Sequence, residues 1–191
     1  MNTPHGLVYA PEFINAAEEH SLLSYIATLP LEGARYKQFT AKRRIVSYGG
    51  HYDFSSNKLN AAAPIPAFLE PLREQVAQWM QVPISELQHA LIAEYQPGTQ
   101  LGWHRDVPDF ELVAGISLLN SCFMYLRPYR AAVRRRGDIV KLNLEARSAY
   151  ILKDEARWDW QHSIPSTKSL RYSITFRTKR LSVRKNPAAS I

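Results

Sequence analysis

A chain of 191 residues, 46% hydrophobic and 21% charged, is long enough to bury one globular core without disulfide support, and its single Cys122 excludes an internal disulfide and a multi-cysteine zinc ribbon. No apolar run approaches the roughly 18 residues of a membrane span, and Met1-Asn2-Thr3-Pro4-His5 lacks the basic-then-apolar layout of a signal peptide. One cytoplasmic, monomeric domain over residues 1–191 is therefore expected. The formal net charge of +7 favours a polyanionic partner, nucleic acid first, although a basic protein with no such partner fits charge alone nearly as well.

The first periodic segment runs from Asn15 to Thr28. Asn15 stands as N-cap with Glu18 in capping-box register, and Leu22, Leu23, Tyr25, Ile26 and Leu29 supply an apolar stripe. A second helix fits Ala67 to Met80, where Phe68, Leu69, Leu72, Val76, Trp79 and Met80 recur at helical spacing and Pro64, Pro66 and Pro83 bracket the run. Between them, Lys42 to Asn57 is β-rich and aromatic, with a turn at Gly49-Gly50.

After Pro83 the texture changes to short β runs, at 89–95, 112–119, 122–126, 138–144, 148–152 and 171–178. Many short strands in succession predict a sandwich or jelly roll rather than βαβ units. The expected class is α+β, with two N-terminal helices backing a jelly-roll core over about 87–180. Arg134-Arg135-Arg136-Gly137-Asp138 reads as an exposed hairpin loop, either touching phosphates or merely solvated; a second basic cluster lies at Lys179, Arg180, Arg184 and Lys185.

The chemistry concentrates in His104-Arg105-Asp106 and His162. Residues two apart on an extended strand point to one face, so His104 and Asp106 can reach one ion together. His162 is the best third ligand, and two imidazoles with one carboxylate form the facial set that leaves positions open for a co-substrate. His5, His20 and His51 fit less well, and His89 begins a strand with no evident partner. A bare His-x-Asp is cheap; its order relative to His162 and to the strand Arg171–Arg177 carries the weight. Arg171 and Arg177 share one strand face, either in the site or on the solvent side of an edge strand.

With those residues in view, the chain from about Arg43 to Arg177 resembles an AlkB-type Fe(II)/2-oxoglutarate dioxygenase. The resemblance rests on Tyr95-Gln96-Pro97-Gly98, His104-Arg105-Asp106 and the strand Arg-Tyr-Ser-Ile-Thr-Phe-Arg. It implies a double-stranded β-helix fold, with His104, Asp106 and His162 binding iron and O₂ as the second co-substrate. Arg171 would pair with the distal carboxylate of 2-oxoglutarate, Tyr95 would add a hydroxyl bond, and Arg177 would sit near the metal end. Ser173 stands where the family usually carries Asn, and Ala93 replaces another frequent Asn.

The segment from about 36 to 60 resembles the family's nucleotide-recognition lid, with Tyr52 and Phe54 as candidates for base stacking or lid packing and Arg43 at its base. Asp159 and Gln161 are candidate partners for His162, and Trp158 and Trp160 for barrel packing. Relatives that repair nucleobases often carry an acid directly after, or two after, the metal Asp; here Val107-Pro108 stand there. The leading function is oxidative demethylation of alkylated bases in DNA or RNA. The alternatives are a dioxygenase acting on a protein side chain or small metabolite, and a non-catalytic nucleic-acid-binding relative.

Overall fold

The capping box at the first helix is formed. Asn15 Oδ1 accepts from the Glu18 amide at 2.9 Å, and the Glu18 carboxylate accepts from the Asn15 amide at 2.7 Å. The computed structural model describes residues 3–36, 39–53, 58–129 and 138–180. Phe54, the Arg134–Gly137 run, Arg184 and Lys185 lie outside the described residues.

Helix α1 (Ala16–Ile26) buries Leu22 and Ile26; helix α2 (Glu70–Met80) is entered through a 3-10 turn at Ala67–Leu69 and buries Leu72, Val76 and Ala77. A short third helix, α3 (Asp154–Trp158), has no counterpart among the expected elements.

Seven strands form one sheet: β1 (Leu7–Ala10), β2 (Glu32–Tyr36), β3 (Phe39–Tyr48), β6 (Leu87–Tyr95), β8 (Phe110–Leu118), β11 (Ala149–Leu152) and β13 (Arg171–Lys179), in the order β1-β11-β8-β13-β6-β3-β2. Four more form a second sheet, β10-β9-β12-β7, from β7 (Leu101–His104), β9 (Cys122–Pro128), β10 (Val140–Leu144) and β12 (Trp160–Ile164). The hairpin β4 (His51–Asp53) and β5 (Lys58–Asn60) pairs with itself. Gly49 leads into it with φ +74, and a Cβ there would run into the Gln88 carbonyl, so the expected turn needs glycine.

The expected β runs at 89–95, 112–119, 122–126, 138–144, 148–152 and 171–178 are all strands, with ends displaced by about two residues. β1, β2, β7 and β12 are additional. Of the two settings open to Arg171 and Arg177, the edge strand is excluded: β13 is the middle strand of seven, paired to β6 and β8 along its length.

Strand alternation divides the molecule. On β13, Tyr172, Ile174 and Phe176 face the core built with Leu22, Ile26, Leu72 and Val76 of the two helices, while Arg171, Ser173, Thr175 and Arg177 face the opposite way, into a cavity between the sheets. Phe176 is fully buried, and its truncation to Ala costs about 3–5 kcal/mol on that scale. Met124, Leu126, Leu144 and Ile164 fill the space between the sheets around the cavity. No helix among the described residues is long and apolar enough to cross a membrane.

Candidate metal centre and co-substrate pocket

The second sheet brings two of the three expected ligands side by side. β12 pairs with β7 so that His162 stands opposite His104, their ring centroids 4.2 Å apart. Asp106 lies just beyond the end of β7, and ligand atoms of His104, Asp106 and His162 all fall within 4.8 Å of one another. Such a cluster fits one cation held by two nitrogens and one carboxylate oxygen.

Two of the three expected ligands are oriented by neighbouring groups. His104 Nδ1 lies 2.8 Å from the Gly102 carbonyl, which places the proton on Nδ1 and turns Nε2 toward the cluster. Asp106 Oδ1 accepts from Arg177 Nε at 3.0 Å and forms an ion pair with Nη2 at 2.9 Å, while Oδ2 faces His162 Nε2 at 3.6 Å. Arg177 in turn meets His89 Nδ1 at 3.2 Å, so His89, expected to be without a partner, braces the residue that braces Asp106.

Protonation follows the same pattern. Burial opposes charge on Asp106, but Arg177, then His162, His104 and Arg157, outweigh it and hold the carboxyl well below the usual carboxylate range. Burial, reinforced by His104, pushes His162 down to about 3, and burial also lowers His104. At neutral pH the cluster is one carboxylate and two neutral imidazoles, the state a metal ion requires.

Arg171 marks the other end of the cavity. It is 2% exposed, its Nη2 donates to Ser117 Oγ at 2.9 Å, and its guanidinium lies 4.9 Å from the centre of the Tyr95 ring. Its Nε is buried with no partner, and among the described residues no carboxylate pairs with it. A buried guanidinium with an unmet donor is unfavourable unless an anion completes it, so this cradle fits a carboxylate-bearing ligand. Tyr95 and Ser173 line the same cavity.

Tyr150 closes the cavity wall. Its ring lies against Gly115 of β8, where any Cβ would collide with it, and burial, with Asp106 and Tyr95, pushes its hydroxyl well above the ordinary tyrosine value. Tyr150 therefore stays protonated and can donate a hydrogen bond.

Arg43 enters the cavity from β3. Its Nη1 reaches Tyr95 Oη at 3.5 Å, and its Nε is buried without a partner. Tyr52 is half-buried on β4 opposite Leu59 and is not among the residues lining the cavity.

Three of four expected supports take other places. Gln161 does not orient His162, because neighbours in a strand point to opposite faces; its Oε1 accepts instead from Arg127 on the outer side. Asp159 is exposed and uses its backbone carbonyl to accept from the Tyr129 amide. Trp158 turns outward to Glu111, whereas Trp160 does pack between the sheets. The loop carrying Asp106 is instead tied by Arg157, buried on α3, which donates to the carbonyls of Val107 and Phe110 at 2.8 and 2.7 Å, and by Arg105, which donates to the Trp158 carbonyl at 2.8 Å. Ser117, Tyr150, Arg157 and His89 are thus site-building residues beyond the expected set.

Comparison with known proteins agrees with this geometry. A family model described as the 2OG-Fe(II) oxygenase superfamily matches residues 6–183. The Alkylated DNA repair protein ALKBH8 homolog of Arabidopsis thaliana is 29% identical over 189 residues, covering 88% of this chain and 53% of that protein. The tRNA (carboxymethyluridine(34)-5-O)-methyltransferase ALKBH8 of Mus musculus is 25% identical over 172 residues, 86% of this chain and 25% of that protein. The chain thus spans about half the length, or less, of these curated relatives. Among solved structures, OsALKBH1 superposes with a TM-score of 0.67 at 13% identity, covering 93% of this chain and 100% of that one. A Pseudomonas putida prolyl-4-hydroxylase gives 0.61 at 15% identity, covering 92% and 94%. At such identities the two structures establish a shared double-stranded β-helix architecture.

Proposed function

The chain belongs to the 2OG-Fe(II) oxygenase superfamily as an AlkB-type member, and from that premise we propose that it removes alkyl groups oxidatively from bases of DNA or RNA. It is a dioxygenase whose cofactors are Fe(II), 2-oxoglutarate and O₂. Bound iron, with 2-oxoglutarate and O₂, supplies the oxidising power to hydroxylate an N-methyl carbon, after which the hemiaminal releases formaldehyde and the free base.

His104, Asp106 and His162 would hold the iron. Arg171, steadied by Ser117, would take the distal carboxylate of 2-oxoglutarate, with Tyr95 and Ser173 as polar neighbours and Arg177 fixing Asp106 at the metal end. Segment 36–60 would act as the lid, Arg43 offers its unmet Nε to an acceptor on the substrate, and Tyr52 is a candidate for base stacking or lid packing, as is Phe54 from the sequence resemblance alone. Residues 1–191 form one cytoplasmic domain that works as a monomer.

The observation that carries the substrate reading is that relatives aligned over more than four fifths of the chain are named for alkylated DNA repair and for a tRNA uridine. The net charge of +7 agrees with such a polyanion. Incubation with Fe(II), 2-oxoglutarate and methylated oligonucleotides is expected to release formaldehyde and convert the base. A metallated protein that turns over 2-oxoglutarate yet leaves every oligonucleotide unchanged would overturn it. Val107-Pro108, where an acid would polarise a damaged base, favour a second reading in which a protein side chain or small metabolite is oxidised.

A further inference from the structure

We infer that the outer face of the four-stranded sheet is a stacking platform for unpaired nucleic acid, gripping the strand that flanks the nucleotide in the metal cavity; this rests on the proposed nucleic-acid function. Because side chains alternate along each strand, the residues neighbouring the metal and core positions all point outward. Met124, Leu126 and His162 face in, and Phe123, Tyr125, Arg127 and Gln161 therefore face out. Trp103, next to His104, stands on the outer face of β7.

On this face each cation lies on a ring. Arg127 reaches across β12 to Trp103, its guanidinium 4.1 Å from the ring centre, and its Nε and Nη2 are held by Gln161 at 3.1 and 3.0 Å. Lys141 Nζ stands 3.7 Å from the Phe123 ring centre. At the edge, Arg105 lies 3.9 Å over Tyr129. A guanidinium fixed over an indole offers, with it, a surface on which a base can stack.

Charge and exposure select the occupant. None of the four strands carries an Asp or Glu. Both long helices pack on the other sheet, and here Phe123 is 40% exposed and Lys141 and Asn143 are exposed. A four-stranded sheet with one exposed aromatic ring, Phe123, and half-buried rings beside it suits unpaired bases, and phosphates between them would meet the cations. An acidic polypeptide would satisfy the charges but leave the rings unused.

The platform can be tested without disturbing the metal site. Fluorescence anisotropy would follow a labelled single strand of about twelve nucleotides bound by wild-type holoenzyme and by the Phe123→Ala/Lys141→Glu double variant. The variant is expected to bind about tenfold more weakly or worse, with a shallower salt dependence, while substrate-free succinate formation stays at the wild-type rate. Phe123→Tyr, which keeps the ring, is expected to bind like wild type. Double-variant binding within about twofold of wild type, or poly-L-glutamate competing as well as the oligonucleotide, would overturn the platform alone. Wild-type protein that turns over 2-oxoglutarate but binds no oligonucleotide would overturn both the platform and the nucleic-acid function.

Discussion

The two ends of the cavity are built to different standards. At the metal and co-substrate end every functional side chain sits on a central strand or is tied by a second residue: Arg177 holds Asp106, Gly102 orients His104, Ser117 steadies Arg171, and β13 is paired on both sides. At the proposed substrate end, Arg43 projects from β3 to Tyr95 alone among the hydrogen bonds of the described residues, and among those residues β4 and β5 pair with each other and not with the larger sheets. The difference teaches where constancy is needed. Iron and a keto acid are always the same and can be met by a fixed frame, whereas the substrate wall lies on elements with fewer ties and can be changed without touching the chemistry.

The contrast can be tested in order of expected effect. Asp106→Ala should lower both metal affinity, read by Co(II) absorption, and 2-oxoglutarate turnover by at least about a hundredfold, since even residues that merely support metal ligands are worth 10–100-fold. Arg171→Met should raise the KM for 2-oxoglutarate about thirtyfold or more, because a buried charge pair loses one member. The same change should leave the Tm of the protein without 2-oxoglutarate unchanged or higher, because it removes a buried charge whose Nε has no partner; a large drop in Tm would show that Arg171 is structural. Arg43→Ala should raise the KM for the nucleic-acid substrate about tenfold with little change in that for 2-oxoglutarate. If both constants rise together, the two ends are not separate.

Much of the fold was legible because it depends on local spacing: alternation on Arg171–Arg177 is a property of a single strand, and Asn15 with Glu18 of one helical turn. The expectation of an extended strand through both His104 and Asp106 is corrected, since β7 ends at His104 and Asp106 stands in the loop beyond it, while His162 joins them through strand register. What could not be read depends on register between distant strands. His89 looked partnerless because Arg177, its neighbour across β6 and β13, is 88 residues away. Ser117 gave one signal, a hydroxyl between the apolar Ile116 and Leu118, and Gly115 two residues earlier signalled a close approach that Tyr150 fills. Arg157 gave none, since a buried arginine on a five-residue helix resembles any surface arginine until the loop it ties is in place. Gln161 shows the reverse hazard: adjacency to His162 in sequence suggested contact, and the strand turned it to the other face.

The Arg177 clamp has a consequence for denticity. A solitary carboxylate can grip an ion with both oxygens, closing off a position that chemistry needs. Asp106 has Oδ1 committed to the Arg177 guanidinium, through a hydrogen bond from Nε and an ion pair with Nη2, so Oδ2 is the oxygen on the side of His162. With His104, Asp106 and His162 as the proposed ligands, each would give the iron one atom, and the positions they do not fill would stay open to small molecules. Arg177, which lies outside that set, would enforce this openness.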